Sequence, residues 1–271
     1  MKRLKIAVAA IAIGLTCPVV QAQDWGSLLK GGIGLVKSFT ISDNQVKEYV
    51  HQFVVQSDKE NKVADSNSAY GKRLSKIVSG IDEVEGQPLN FKVYITKDIN
   101  AFACADGSVR VYSGLMDVMN DDEVLGVIGH EIGHVAHHDT KNAMKTALRT
   151  TAFRDVLGAD TGVIGTLSKS QLGALGETLV NSKYSQSQES NADTYAYHFL
   201  KENGKNPLVL ALAFKKLGEL ESSGKASLVQ KLFSSHPETS KRISKIEKLA
   251  FAEGYTYPET TNNSTSKKGK K

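Results

Sequence analysis

The chain has 271 residues, 40% hydrophobic and 23% charged, with two cysteines. This is the balance of a globular protein with a substantial core, and it excludes a disordered chain or a disulfide-stapled scaffold. The formal charge of +5 sits at the ends; without Lys2, Arg3, Lys5, Lys267, Lys268, Lys270, Lys271 and Glu259, 27 basic residues face 28 acidic ones, so a nucleic-acid partner is not expected.

Residues 1–22 read as a secretory signal peptide. Lys2, Arg3 and Lys5 form a positive start, Ile6–Leu15 is an apolar run too short to span a bilayer, and Val20-Gln21-Ala22 ends on small residues suited to cleavage. The expectation is an exported, periplasmic protein beginning at Gln23. A retained anchor is the alternative, as is lipidation of Cys17, whose preceding Gly14-Leu15-Thr16 is in the wrong order for a lipobox. If Cys17 leaves with the leader, Cys104 is the only thiol and no internal disulfide forms; its neighbours Ala103 and Ala105 offer no base, so it reads as a small packed residue.

Residues 23–40 are glycine-rich and read as a flexible segment leading into a domain over 41–255. Ser42-Asp43-Asn44 is placed to cap a helix through Val46, Tyr49, Val50 and Phe53, and Ser66–Ile81 reads as a second helix. Phe91–Thr96 alternates like a strand. Asp106-Gly107 between Ala101–Cys104 and Ser108–Tyr112 signals a hairpin, so a small sheet is expected just before the next helix, with an edge able to take an extended peptide. Thr140–Leu157 reads as helical, and the glycines spread over 158–176 suggest either a mobile loop covering a site or an exposed connector. Gln186–Asn203 and Pro207–Leu220 read as amphipathic helices, and Ser234-Ser235-His236-Pro237-Glu238 as the start of a last one. Residues 256–271 are polar and Lys-rich and read as a disordered tail.

The chemistry concentrates in Val124–His138, which contains His130-Glu131-Ile-Gly-His134. Asn120-Asp121-Asp122-Glu123 outlines a capping box, and the apolar residues that follow lie nearly all round, the pattern of a buried helix. Histidines four apart share one face of such a helix, close enough to hold one metal ion, and Glu131 beside them can take a proton from a metal-bound water. Buried polar groups without partners cost several kcal/mol, so a cation accounts for their placement. Gly129 and Gly133 share a face, which suggests that another backbone packs close there. His137 and Thr140 stand where the longer metzincin pattern needs Gly and His, so the third ligand is sought elsewhere. Glu189, 55 residues beyond His134 on a credible buried helix, is the candidate, with Asp193 one turn on. A solvated acidic patch is the plainer reading of that pair, and His138 is a weak competitor for the metal.

His130-Glu131-Ile-Gly-His134, Glu189-Ser-Asn-Ala-Asp193 and His236-Pro237, in this order, resemble the HtpX/BepA/LoiP-like zinc metallopeptidases, a gluzincin family. Val109-Arg-Val-Tyr-Ser-Gly-Leu-Met-Asp117 and Leu167–Gly176 extend the likeness, strongest to its LoiP-like members, over roughly 41–252. The resemblance implies an α+β, mainly helical zincin-like fold with the small sheet preceding the HExxH helix. It implies one Zn²⁺ per chain on His130, His134 and Glu189, Glu131 as general base and Asp193 as proton donor. His236 would stabilise the oxyanion or occlude the zinc as a reversible fourth ligand; Arg242 would lie nearby, and Asn100, Ala101 and Phe102 would line the substrate or oxyanion side. The function implied is a zinc endopeptidase of the bacterial envelope acting on misfolded or misassembled proteins, with outer-membrane assembly or protease partners possible. A chaperone-like binding protein with a closed or structural zinc site is the rival.

Overall fold

The structure is a computed structural model that describes residues 41–149, 165–181, 183–236 and 239–259. The expected signal peptide, the segment 23–40, the stretch 158–164, Pro237 and most of the expected tail lie outside the described residues.

Helix α1, Asp43–Glu60, begins as its sequence requires: the Ser42 side chain accepts from the Gln45 amide and the Gln45 side chain accepts from the Ser42 amide. It buries Val46, Tyr49, Val50 and Val54. Helix α2 is shorter than expected, Ala69–Ile77, because a turn in which Asp65 accepts from the Ser68 amide precedes it and Ser68, not Ser66, is its cap.

The sheet is three-stranded, in the order β3-β5-β4, beside a two-stranded ribbon of β1 (Glu83–Val84) and β2 (Gln87–Pro88). β4 (Ala101–Ala103) and β5 (Ser108–Tyr112) form the expected antiparallel hairpin. Gly107 turns it with φ +85°, and a side chain there would strike the Pro88 carbonyl at 2.0 Å, so glycine is required twice over. β3 (Asn90–Tyr94) joins β5 in parallel, which makes β5 the central strand and leaves β4 at an edge. Local alternation does not reveal that pairing, because it closes across the intervening residues.

Helix α3 (Ser113–Val118) follows β5 directly, and α4 (Asp121–Ala136) runs through the middle of the larger core. α5 spans Asp139–Leu148; the rest of the helical expectation to Leu157 is beyond the described residues apart from Arg149, its C-cap. Where a mobile or exposed connector was expected up to Gly176, residues 169–181 form helix α6 (Lys169–Asn181). Leu167 and Leu175 are buried with α1 and α5 in a second core, and Gly176 lets the Phe53 ring sit where a Cβ would be. Apolar burial overrides the glycine signal there.

α7 (Gln186–Glu202) and α8 (Leu208–Leu220) lie where expected. The segment Glu221–Lys225, with Gly224 at φ +80°, then turns the chain into α9, Ala226–Ser235. His236 is therefore the cap that ends α9, not the first turn of the last helix; α10 starts at Thr239 and runs to Ala252. The first residues of the expected tail are placed: the Thr256 carbonyl accepts from Asn206, and Tyr257 packs on the core and bonds Lys215 and Glu247. Among the described residues no helix is long and apolar enough to cross a membrane.

Candidate metal centre

α4 is buried from Glu123 to Val135, and its capping box is in place: Asn120 accepts from the Glu123 amide and Glu123 accepts from the Asn120 amide. The close backbone approach inferred from the glycines is made by α7. A Cβ on Gly133 would lie 3.0 Å from the Cα and carbonyl of Ala192, and one on Gly129 would lie 2.6 Å from the Phe199 ring. That contact lets α7 carry Glu189 and Asp193, four apart and on one face, up against the histidines of α4.

The structure gathers His130, His134, Glu189 and His236 into one buried cluster whose donor atoms all lie within 4.8 Å of one another. His130 Nε2 is 3.2 Å from His134 Nε2, and the Glu189 oxygens stand 3.4 Å from His134 Nε2 and 3.6 Å from His130 Nε2. Four donors at zinc–nitrogen distances of about 2.0–2.1 Å would be about 3.3 Å apart around a tetrahedral ion, so these spacings fit one.

The tautomers support the same conclusion. His134 Nδ1 donates to Asp139 Oδ2 at 2.9 Å, and His130 Nδ1 stands 3.0 Å from Asp193 Oδ1. Asp139 accepts the His134 Nδ1 proton and Asp193 faces His130 Nδ1, where Arg242 Nη2 also stands at 3.3 Å, so the Nε2 atoms are the ones turned toward each other. Two lone pairs facing each other at 3.2 Å repel unless a cation or a proton lies between them. Glu131 is buried as well, and its Oε1 has no hydrogen-bond partner; His236 Nε2 stands 3.4 Å away. The donor set fits a metal ion.

Burial, with the Arg242 charge beside it, pushes His130 down to about 3. Burial also works against a charge on His134, but hydrogen bonds with Asp139 and Glu189 outweigh it and hold that ring up at about 9. Burial raises the Glu131 carboxyl. For Glu189 burial acts in the same sense, yet His134 and His236 hold it far below the usual carboxylate range. Asp193 sits at about 2, where Arg242 and His130 overcome burial. Without metal, then, one imidazole of the α4 pair is neutral and the other carries a proton.

His236 enters the cluster itself, with Nδ1 2.9 Å from Glu189 Oε1 and 3.2 Å from His130 Nε2. Arg242, on α10, clamps Asp193 through Nε at 2.8 Å and Nη2 at 2.6 Å, contacts Glu189 Oε2 through Nη1, and stacks its guanidinium 4.3 Å over the Phe214 ring. The hairpin candidates divide. Ala101 is buried among the residues of the α4 core, and Asn100 is buried with its carbonyl accepting from the Tyr112 amide. Phe102 points to the other face, edge-on to Tyr94 and Tyr112, so its ring is not a lining residue and only its backbone on edge strand β4 can meet a peptide. His138, a left-handed residue between α4 and α5, is exposed and outside the cluster.

Asp139 was missed by sequence reasoning. It lies five residues beyond His134, across a change of helix, and its second oxygen accepts from Gln188 at 2.8 Å. An acidic residue just after the second histidine was the available signal.

A model of peptidase family M48 matches residues 71–250. The chain is 42% identical over 253 residues to the metalloprotease LoiP of Escherichia coli (strain K12), covering 93% of this chain and 99% of that one. It is 40% identical to the metalloprotease YcaL of the same organism over 246 residues, 90% of this chain and 95% of that one. A protease HtpX homolog of Salinibacter ruber (strain DSM 13855 / M31) is 31% identical over 181 residues, 56% of this chain and 64% of its own.

Proposed function

The chain belongs to peptidase family M48 and is a metalloprotease; from that premise we propose that its metal is a single zinc ion on His130, His134 and Glu189, and that it cleaves unfolded or misassembled polypeptides of the bacterial envelope. The observation that carries the zinc reading is the pair of imidazole Nε2 atoms 3.2 Å apart with a carboxylate beside them. Zinc, when bound, is a Lewis acid that polarises a carbonyl and lowers the pKa of water to about 7.

The chain's own residues do the rest. Glu131, held up by burial and free at Oε1, accepts a proton from the attacking water and hands it to the leaving amine. Asp193 is held ionised by Arg242, which suits it to orient His130 better than to donate a proton at neutral pH. That moves its part from proton donor, as the resemblance implies, to positioning. Edge strand β4 offers backbone groups to an extended peptide, and an apolar crevice lined by Val127, Glu131, Phe214, Leu217 and His236 borders the cluster on another side.

A second reading has one observation behind it. His236 stands among the metal donors, where it would be a fourth ligand and close the site, as in a binding protein with shut zinc. The test is digestion of unfolded casein by the zinc-loaded protein and by His236→Ala. Cleavage by the wild type supports the peptidase; zinc retained with no cleavage by either protein favours the binder. Export through residues 1–22 to the periplasm belongs to the proposal, as do outer-membrane assembly or protease partners. Amino-terminal sequencing of the protein from an osmotic-shock fraction tests the export, with Gln23 the expected start.

A further inference from the structure

Tyr184 has no part in the hydrolysis as derived. It is buried just ahead of Ser185, the residue that caps α7. Its ring stacks on the His134 imidazole with centroids 3.9 Å apart and planes 16° from parallel. The same ring lies 5.4 Å from that of His236, and the Tyr184 amide donates to the Ser235 carbonyl at 3.3 Å. Two of the four clustered residues thus meet one side chain, His134 beneath it and His236 beside it, while the helix it precedes carries Glu189.

Contacts with Asp139 at Nδ1 and with His130 and Glu189 at Nε2 hold two atoms of the His134 ring and leave its plane to be set by what packs on its faces. A flat ring pressed face to face fixes that plane, which an aliphatic side chain of similar volume does not do. We propose that Tyr184 is a positioning residue of the metal centre: it sets the plane of His134 and, through the Ser235 carbonyl, ties that plane to the segment bearing His236. The inference rests on the zinc reading above. It predicts that the aromatic ring, not the hydroxyl, is what matters, because the contact is made by the face.

The experiment compares the full zinc-loaded chain with Tyr184→Phe and Tyr184→Leu, following transfer of zinc to a chromophoric chelator. Residues that orient metal ligands typically alter affinity about 10–100-fold. The Phe variant should release zinc within about twofold of wild type, and the Leu variant should release it at least about tenfold faster. The cobalt(II)-substituted Leu variant should show a changed visible absorption spectrum, while the metal-free variants unfold at matching temperatures. Tyr184→Met is the second aliphatic replacement should Leu disturb folding. Zinc release from the aliphatic variants at the wild-type rate overturns the proposal, as does a Phe variant as leaky as Leu. A wild-type chain that takes up no zinc sinks the underlying reading and the proposal together, an outcome plainly different from zinc held equally well by wild type and Leu variant.

Discussion

Two charge clusters among the described residues, one around Asp58 and Arg110 and one between α4 and α7, are built on opposite principles. At the end of α1, Asp58 accepts from Arg110 at 2.8 and 3.1 Å, from Lys92 at 2.8 Å and from the Tyr94 hydroxyl at 2.7 Å. Each oxygen meets donors, and Arg110, 1% exposed on the central strand, spends its remaining hydrogens on Asn90 and the Val109 carbonyl. In the α4–α7 cluster imidazole faces imidazole, and Glu131 has an unpartnered oxygen. The first cluster is complete in itself and holds α1 to the sheet. The second holds Arg242 on one side, yet leaves three imidazoles and the Glu189 carboxylate facing one another and a Glu131 oxygen without a partner, the arrangement expected of a site that takes up a cation.

The contrast is broken most sharply by Glu131→Gln. General-base catalysis contributes about 10²–10⁴-fold, so casein cleavage should fall by that factor while zinc per chain is unchanged. Cleavage at the wild-type rate would remove Glu131 from the mechanism. Asp58→Asn should do the reverse. Leaving Arg110 buried with no carboxylate should cost about 3 kcal/mol in urea unfolding, with zinc stoichiometry untouched; a loss of zinc would show that the two clusters are not independent.

Asp139→Asn sharpens the comparison from inside the metal centre. It removes the charge beside His134 Nδ1–H and leaves one oxygen to serve both that ring and Gln188, so zinc affinity measured by chelator competition should drop about 10–100-fold. Acidity separates the clusters more gently. Zinc must displace the His134 proton, which the metal-free ring keeps up to about pH 9, so affinity should rise about tenfold per pH unit from 7 to 9. Asp58, held at about 2 by its donors against burial, stabilises the fold fully above the ordinary carboxylate range. That contribution is lost as pH falls from about 4 toward 2. Acid unfolding of Asp58→Asn should lack this component.

Much of the metal centre was legible because it is local. Histidines four apart and carboxylates four apart declare one helical face each, and the glycines of α4 announced the close approach of α7 before any partner was known. What stayed hidden closes through space. The parallel pairing of β3 with β5 skips a strand, and Asp139 and Tyr184 reach His134 from beyond a helix break and from another segment. Helix α9 was legible but unread: Val229 and Leu232 are buried, with Leu228 and Phe233 beside them, at helical spacing. The error over α6 has the same root, since the burial of Leu167 and Leu175 depends on α1 and α5, which a glycine count does not register.

The central claim is that folding brings a carboxylate from α7 to two imidazoles of α4 to hold one zinc ion. Zinc per chain, measured by elemental analysis after exhaustive dialysis for the wild type and Glu189→Ala side by side, tests it most directly. The account predicts about one zinc in the wild type and well under half of that in the variant. No zinc in the wild type, or equal zinc in both, would contradict it.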